Sequence, residues 1–203
     1  ILDKYDYIYF LGTEEIGKTA LLKTIGKGYI DRGQEIVILN GKDLKSTSIE
    51  DLLKKFYKNF SVSKINNLKE SVLLIDDFSK QNLQNQSFDT LLSKLTEEFR
   101  KVIIFIDKHK FIQESGKYLK HNFQDVEILP FGYHKRHEFI KKWLTIGNIN
   151  REENISNELY NQIDNIANHF NTIMKKNIMD SRPIYLITII QTLENLSQNT
   201  NFN

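Results

Sequence analysis

Residues 12–19 read Gly-Thr-Glu-Glu-Ile-Gly-Lys-Thr, the G-x-x-x-x-G-K-[ST] pattern of a phosphate-binding loop. Ahead of it, Tyr7 to Leu11 is a short apolar, aromatic run, read as a buried strand. Behind it, Gly17 to Lys27 sets Ala20, Leu21, Leu22 and Ile25 on one side, read as a helix. Strand, loop and helix together are the context the pattern needs. Gly12 and Gly17 permit a tight loop whose backbone N–H groups turn inward. The helix N-terminus adds partial positive charge. Lys18 brings a point charge to the β- and γ-phosphates, and the Thr19 hydroxyl is a Mg²⁺ ligand. The expected cradle runs from Gly12 through Thr13, Glu14, Glu15, Ile16, Gly17, Lys18 and Thr19 to Ala20. Glu14 and Glu15 would repel phosphate, but they occupy variable positions and can point outward. A ligand-free glycine turn is the plain alternative; it leaves Lys18-Thr19 without a packing role.

The same alternation continues outward from the loop. Strand-like runs fall at Glu35–Asn40, Ser71–Ile75, Lys101–Ile106 and, more weakly, Val126–Leu129. Helical spacing falls at Asp51–Phe60 and Phe88–Phe99 between them. Short continuous β-branched runs separated by amphipathic helices indicate an α/β fold with a central, mostly parallel five-stranded sheet flanked by helices. After Tyr133 the pattern is helical only: Phe139, Ile140, Trp143 and Leu144 make one stripe, and Ile155–Met174 and Pro183–Leu196 make others. The expected division is a nucleotide-binding α/β domain over 1–131 and a small all-α lid subdomain over 132–203. The polar tail Ser197–Asn203 is expected to fray.

Residues 72–77 read Val-Leu-Leu-Ile-Asp-Asp. At the end of a buried parallel strand, Asp76 falls beside the phosphate loop, where its carboxylate can hold the Mg²⁺ shell. Asp77 is placed to polarise an attacking water; a solvated turn is the bland alternative, stronger for Asp77 than for Asp76. The fourth strand ends Asp107-Lys108-His109, where Asp107 or Lys108 could sense a γ-phosphate as readily as form a turn. No acid or His cluster accompanies His109, which argues against a metal there. Guanine-specific loops carry [NT]KxD and often DxxG; Asp107-Lys108-His109-Lys110 is not the first, and Asp76-Asp77-Phe78-Ser79 lacks the Gly of the second. ATP, with ADP as its product, is favoured over GTP.

Composition bounds the rest. The 203 residues carry 40% hydrophobic and 27% charged residues and a net charge of +2, ordinary for a globular chain. That charge gives no strong pull toward nucleic acid or membrane, although Lys108, Lys110, Lys117 and Lys120 form a local basic stretch. There is no cysteine, so thiolate metal sites are excluded. No apolar run reaches a membrane span of ~20 residues. A cytoplasmic location and excision from a longer chain are the expectations.

The chain resembles STAND-class NTPases, the AAA+-related group that includes NACHT and NB-ARC switch proteins. Gly12–Thr19 is similar to Walker A, Leu73–Asp77 to Walker B, and Lys101–Ile106 to the sensor strand. Ile128-Leu129-Pro130-Phe131 with Arg136, Phe139 and Trp143 resembles the junction into the helical subdomain. Ser181-Arg182-Pro183 resembles the lid segment, whose proline packs near adenine. The sensor strand departs from the pattern, ending Asp107-Lys108 where a Thr/Ser-Arg pair is usual.

The resemblance implies a slowly hydrolysing ATP switch that controls oligomerisation and activation of a fused effector, with sensor domains outside this stretch, and with antiviral defence as a setting. It also implies an arginine reaching the γ-phosphate of the same chain or of a neighbour in an oligomer, with Arg100, Arg136 and Arg182 as candidates, Arg182 favoured, and a solvated surface arginine as the plain alternative. The alternative is an AAA+-like ATPase acting on nucleic acid as motor or loader. A small-molecule kinase and a nucleotide-holding scaffold without turnover are the remaining readings.

Overall fold

The computed structural model of the chain describes residues 1–60, 67–81, 83–146, 157–175 and 181–199. Two compact units emerge, Ile1–Glu14 with Lys18–Ile128, and Glu15–Gly17 with Leu129–Asn203.

The first unit alternates β1 (Tyr7–Gly12), α1 (Lys18–Ile30), β2 (Ile36–Asn40), α2 (Ile49–Phe60), β3 (Val72–Asp76), α3 (Asn85–Glu98) and β4 (Lys101–Asp107). Two short helices, α4 (Lys108–Gln113) and α5 (Ser115–Tyr118), then lead to β5 (Gln124–Glu127). The strands form one sheet in the order β2-β3-β4-β1-β5. Every pairing is parallel, so the expected mostly parallel sheet is wholly so. Each strand is reached through a crossover that returns the chain to the same edge, and only parallel pairing results.

Alternate side chains enter two cores. Ile8, Phe10, Leu74, Ile103 and Phe105 pack with Leu22, Ile25 and Tyr29 of α1. Their neighbours Tyr9, Leu11, Leu73, Ile75 and Ile104 pack with Leu52, Phe56, Phe88, Leu91 and Phe111. The sheet is thus covered by α1 on one face and by α2 to α5 on the other. All five β3 residues are buried. Leu73, Leu74 and Ile75 have no exposure, a contribution of roughly 1.5–3 kcal/mol each. β5 differs from its expected span, beginning at Gln124 and ending at Glu127. It pairs with β1 alone, and three of its four residues are exposed, so it lacks the apolar run by which an inner strand is read.

The second unit contains α6 (Tyr133–Thr145), α7 (Asn157–Lys175) and α8 (Pro183–Asn199). Ile140, Ile163, Ala167 and Ile190 form its core, with Phe139 and Trp143 packed on it. α8 continues to Asn199, so Ser197–Asn199, expected to fray, are helical; residues 200–203 lie outside the described residues. Among the described residues no helix is long and apolar enough to cross a membrane.

Candidate functional site

The register brings the last residues of the strands together in two pairs. Gly12 pairs with Asp107 and Asn40 with Asp76, so four strand ends carry them along one edge of the sheet. α1 starts above that edge. Thr19, in its first turn, donates its hydroxyl hydrogen to Asp76 Oδ2 at 2.7 Å. Asp76 Oδ1 accepts the Asp77 backbone N–H at 3.0 Å, so both carboxylate oxygens are oriented. Asp76 is only 9% exposed. A hydroxyl and a buried carboxylate, both hard oxygen donors, suit Mg²⁺.

The loop before α1 is tight. Gly17 has φ +100° and Glu15 has φ 59°, and only the first is free of steric cost. Gly12 closes β1 and contributes its carbonyl instead: Lys18 Nζ donates to Gly12 O at 2.9 Å and to Thr13 O at 2.8 Å. Burial pushes the Lys18 pKa down, against the nearby Asp107, Asp77, Asp76 and Glu14 carboxylates. Glu14, Glu15 and Ala20 are exposed and Ile16 is buried.

Asp77 sits in the left-handed region, φ 49° and ψ 40°. Its Oδ2 meets Lys80 Nζ at 2.8 Å, and that bond raises the Lys80 pKa. Phe78 follows with no exposure and pins the turn to the core beside Phe88. A Cβ at Gly41, in the turn after β2, would fall 2.2 Å from Asp77 O and 2.8 Å from Phe78 Cα. The turns after β2 and β3 therefore touch backbone to backbone. The sequence reading missed Gly41, whose only sign was a Gly directly after a strand.

It also missed Ser79, whose Oγ accepts the Asp107 N–H at 2.8 Å and ties the acidic turn to the end of β4. Asp107 is not a loose turn but the cap of the next helix. Its Oδ1 accepts from Lys110 N at 3.0 Å, capping α4. Its Oδ2 is buried without a hydrogen-bond partner among the described residues. His109 is exposed, and it belongs to no group of three or more His, Asp or Glu side chains placed to hold a metal among the described residues. Beside Thr19 and Asp76 opens a cavity of about 320 Å³, bordered by Lys23, Asn40, Lys42 and Leu52.

The candidate arginines divide by place. Arg100 precedes β4, at the opposite end of the sheet from Gly12. Seven residues of strand, ~3.3 Å each, separate the two ends, so Arg100 is removed as a contact to phosphate on the same chain. Arg136 is spoken for within its own unit. Its guanidinium donates to Phe131 O at 2.9 Å, Ser181 Oγ at 3.2 Å and Asn171 Oδ1 at 2.8 Å. Arg182 lies over the Tyr185 ring at 5.8 Å. Pro183 opens α8, and a Cβ on Gly17, which belongs to the same unit, would lie 3.8 Å from its Cγ.

The basic stretch is neutralised where it stands. Lys108 pairs with Glu127 at 2.6 Å and Lys110 with Glu114 at 2.7 Å. Lys120 faces Asp89 at 3.8 Å. Lys117 sits over the Phe88 ring at 4.1 Å, and burial lowers its pKa.

The sequence itself places the chain. Residues 8–112, just over half of it, match the family described as ATPase family associated with various cellular activities (AAA). The chain belongs to the AAA family. No curated protein matches it. Among solved structures it is similar to Drosophila ORC bound to DNA, with 17% identity, a TM-score of 0.56, and 92% of this chain and 55% of that one covered. RuvB from Thermotoga maritima matches with 14% identity, a TM-score of 0.50, and coverage of 94% and 62%. AMPPCP-bound DnaA from Aquifex aeolicus has 23% identity, a TM-score of 0.49, and coverage of 86% and 59%. These identities speak to the fold alone. The chain spans less than two thirds of the length of each of these three.

Proposed function

We propose that this chain is the ATP-binding and slowly ATP-hydrolysing module of a larger AAA protein, with 1–131 as nucleotide-binding domain and 132–203 as helical lid. The observation that carries it is the 2.7 Å bond from the Thr19 hydroxyl to Asp76. It joins the phosphate loop to the acidic strand end.

In this reading the backbone of Gly12–Thr19 and the α1 N-terminus cradle the phosphates, and Lys18 exchanges its two loop carbonyls for phosphate oxygens. Thr19 and Asp76 hold Mg²⁺, which when bound neutralises charge developing on the transferred phosphoryl group. Asp77 orients the attacking water once it parts from Lys80. Arg182 supplies charge at the γ-phosphate, and Pro183 packs near adenine. That Asp77 starts in an ion pair and a left-handed backbone supports slow turnover.

For the use of that energy, the nucleic-acid reading takes precedence. Its support is the likeness to ORC, solved on DNA; the lysines at 108, 110 and 120, each beside an acid, add none. The STAND-type switch, with homo-oligomer, fused effector and sensor, is the second reading, supported by the restrained Asp77. ATP turnover by the full-length protein, with and without single- and double-stranded DNA, separates them. Severalfold stimulation by DNA supports the first. Unchanged turnover, with ATP-dependent assembly in its place, overturns it in favour of the switch.

A further inference from the structure

The opposite edge of the sheet holds a second cavity, of about 380 Å³, remote from the phosphate loop. β1, β3 and β4 begin there and α1 ends there. Its wall includes Asp6, Tyr29, Arg32, Gln34, Arg100 and Lys101. Its size lies in the range of small-ligand sites.

Tyr29 is 3% exposed; the Arg32 side chain can donate to its hydroxyl oxygen, and its hydroxyl hydrogen has no acceptor among the described residues. A buried hydroxyl without an acceptor is uncommon and calls for one. Burial raises its pKa, while the Arg32 and Arg100 charges oppose that rise and Asp3 adds to it. Arg32, Arg100 and Tyr29 line the same cavity.

The cations outnumber the acids. Arg32 meets Asp3 at 3.5 Å and lies over the Tyr29 ring at 4.6 Å. Lys101, itself 7% exposed, meets Asp6 at 3.4 Å and donates to Leu2 O at 2.7 Å and to Tyr5 O. Arg100 makes no ion pair among the described residues. One positive charge and one buried hydroxyl donor are left over on the same wall.

We propose that this cavity binds a small organic oxyanion, a phosphate monoester or a carboxylate, which pairs with Arg100 and accepts the Tyr29 hydroxyl. The planar guanidinium fork suits either group. The site is independent of the nucleotide reading, because it shares no residue with the phosphate loop.

The test uses the full-length protein carrying Lys18→Ala, which disarms the phosphate loop, and two probes, glycerol phosphate and succinate. Binding is read by calorimetry and by the shift in Tm. The expected result is saturable binding of at least one probe, with its identity naming the class. Arg100→Glu, at an exposed position, should weaken it by about tenfold or more, one charge-assisted contact's worth. Tyr29→Phe, which removes only the hydroxyl, should weaken it severalfold. No binding of either probe overturns the proposal, and so does binding that is unchanged in both variants.

Discussion

Gly41 shows how much rests on one missing methyl. Alanine there would put Cβ at 2.2 Å from the Asp77 carbonyl oxygen, backbone against backbone, so the turn bearing Asp77 must move. We expect Gly41→Ala to lower unfolding stability by about 1–3 kcal/mol, the usual cost of overpacking, and to cut ATP turnover, as read by urea denaturation and phosphate release. Lys18 has a pH signature. Burial lowers its pKa from the ordinary 10.5, so the folded chain loses this proton before the unfolded chain does. Across that window the unfolded state binds more protons, and this group's contribution to stability rises with pH. On the proposed reading nucleotide affinity would run the other way, because the phosphates would need the ammonium. We expect ATP affinity to fall on the alkaline side starting below pH 10.5, and an otherwise identical titration of Lys18→Ala to show no such step.

At the scale of elements, the C-terminal edge of the sheet works because the turns that leave it are tied to each other. Ser79 holds the Asp107 N–H, and Asp107 caps α4. We expect Asp107→Ala to cost about 1 kcal/mol, as for a lost N-cap, and Asp107→Asn, which keeps an acceptor, to cost less; urea midpoints decide. Strands β1 to β4 were legible because fully buried parallel strands read as unbroken apolar runs. β5 was misplaced because an exposed edge strand has no such run. α4 and α5 went unseen because a six-residue and a four-residue helix are too short to show a period. Thr19 and Asp76 could be paired from sequence, since each closes or opens an element beside the loop. Gly41 and Ser79 could not, because their roles depend on contacts between turns far apart in sequence.

At the scale of the molecule, each unit has its own core, so each can be perturbed alone. Arg136 fastens the second unit through Phe131, Ser181 and Asn171. We expect Arg136→Ala to loosen that unit by about 1.5–3 kcal/mol, the range for hydrogen bonds to a charged group. Limited proteolysis should then cut within 129–203 while 18–128 stays protected. The central claim, that Thr19 and Asp76 together hold Mg²⁺ for a bound nucleotide, has a direct measurement in calorimetric titration of ATP with Mg²⁺ and with EDTA. Wild type should bind MgATP more tightly than free ATP. Thr19→Ala and Asp76→Asn should each lose most of that difference while still binding ADP in EDTA. A Mg²⁺ increment that survives intact in both variants would contradict the account.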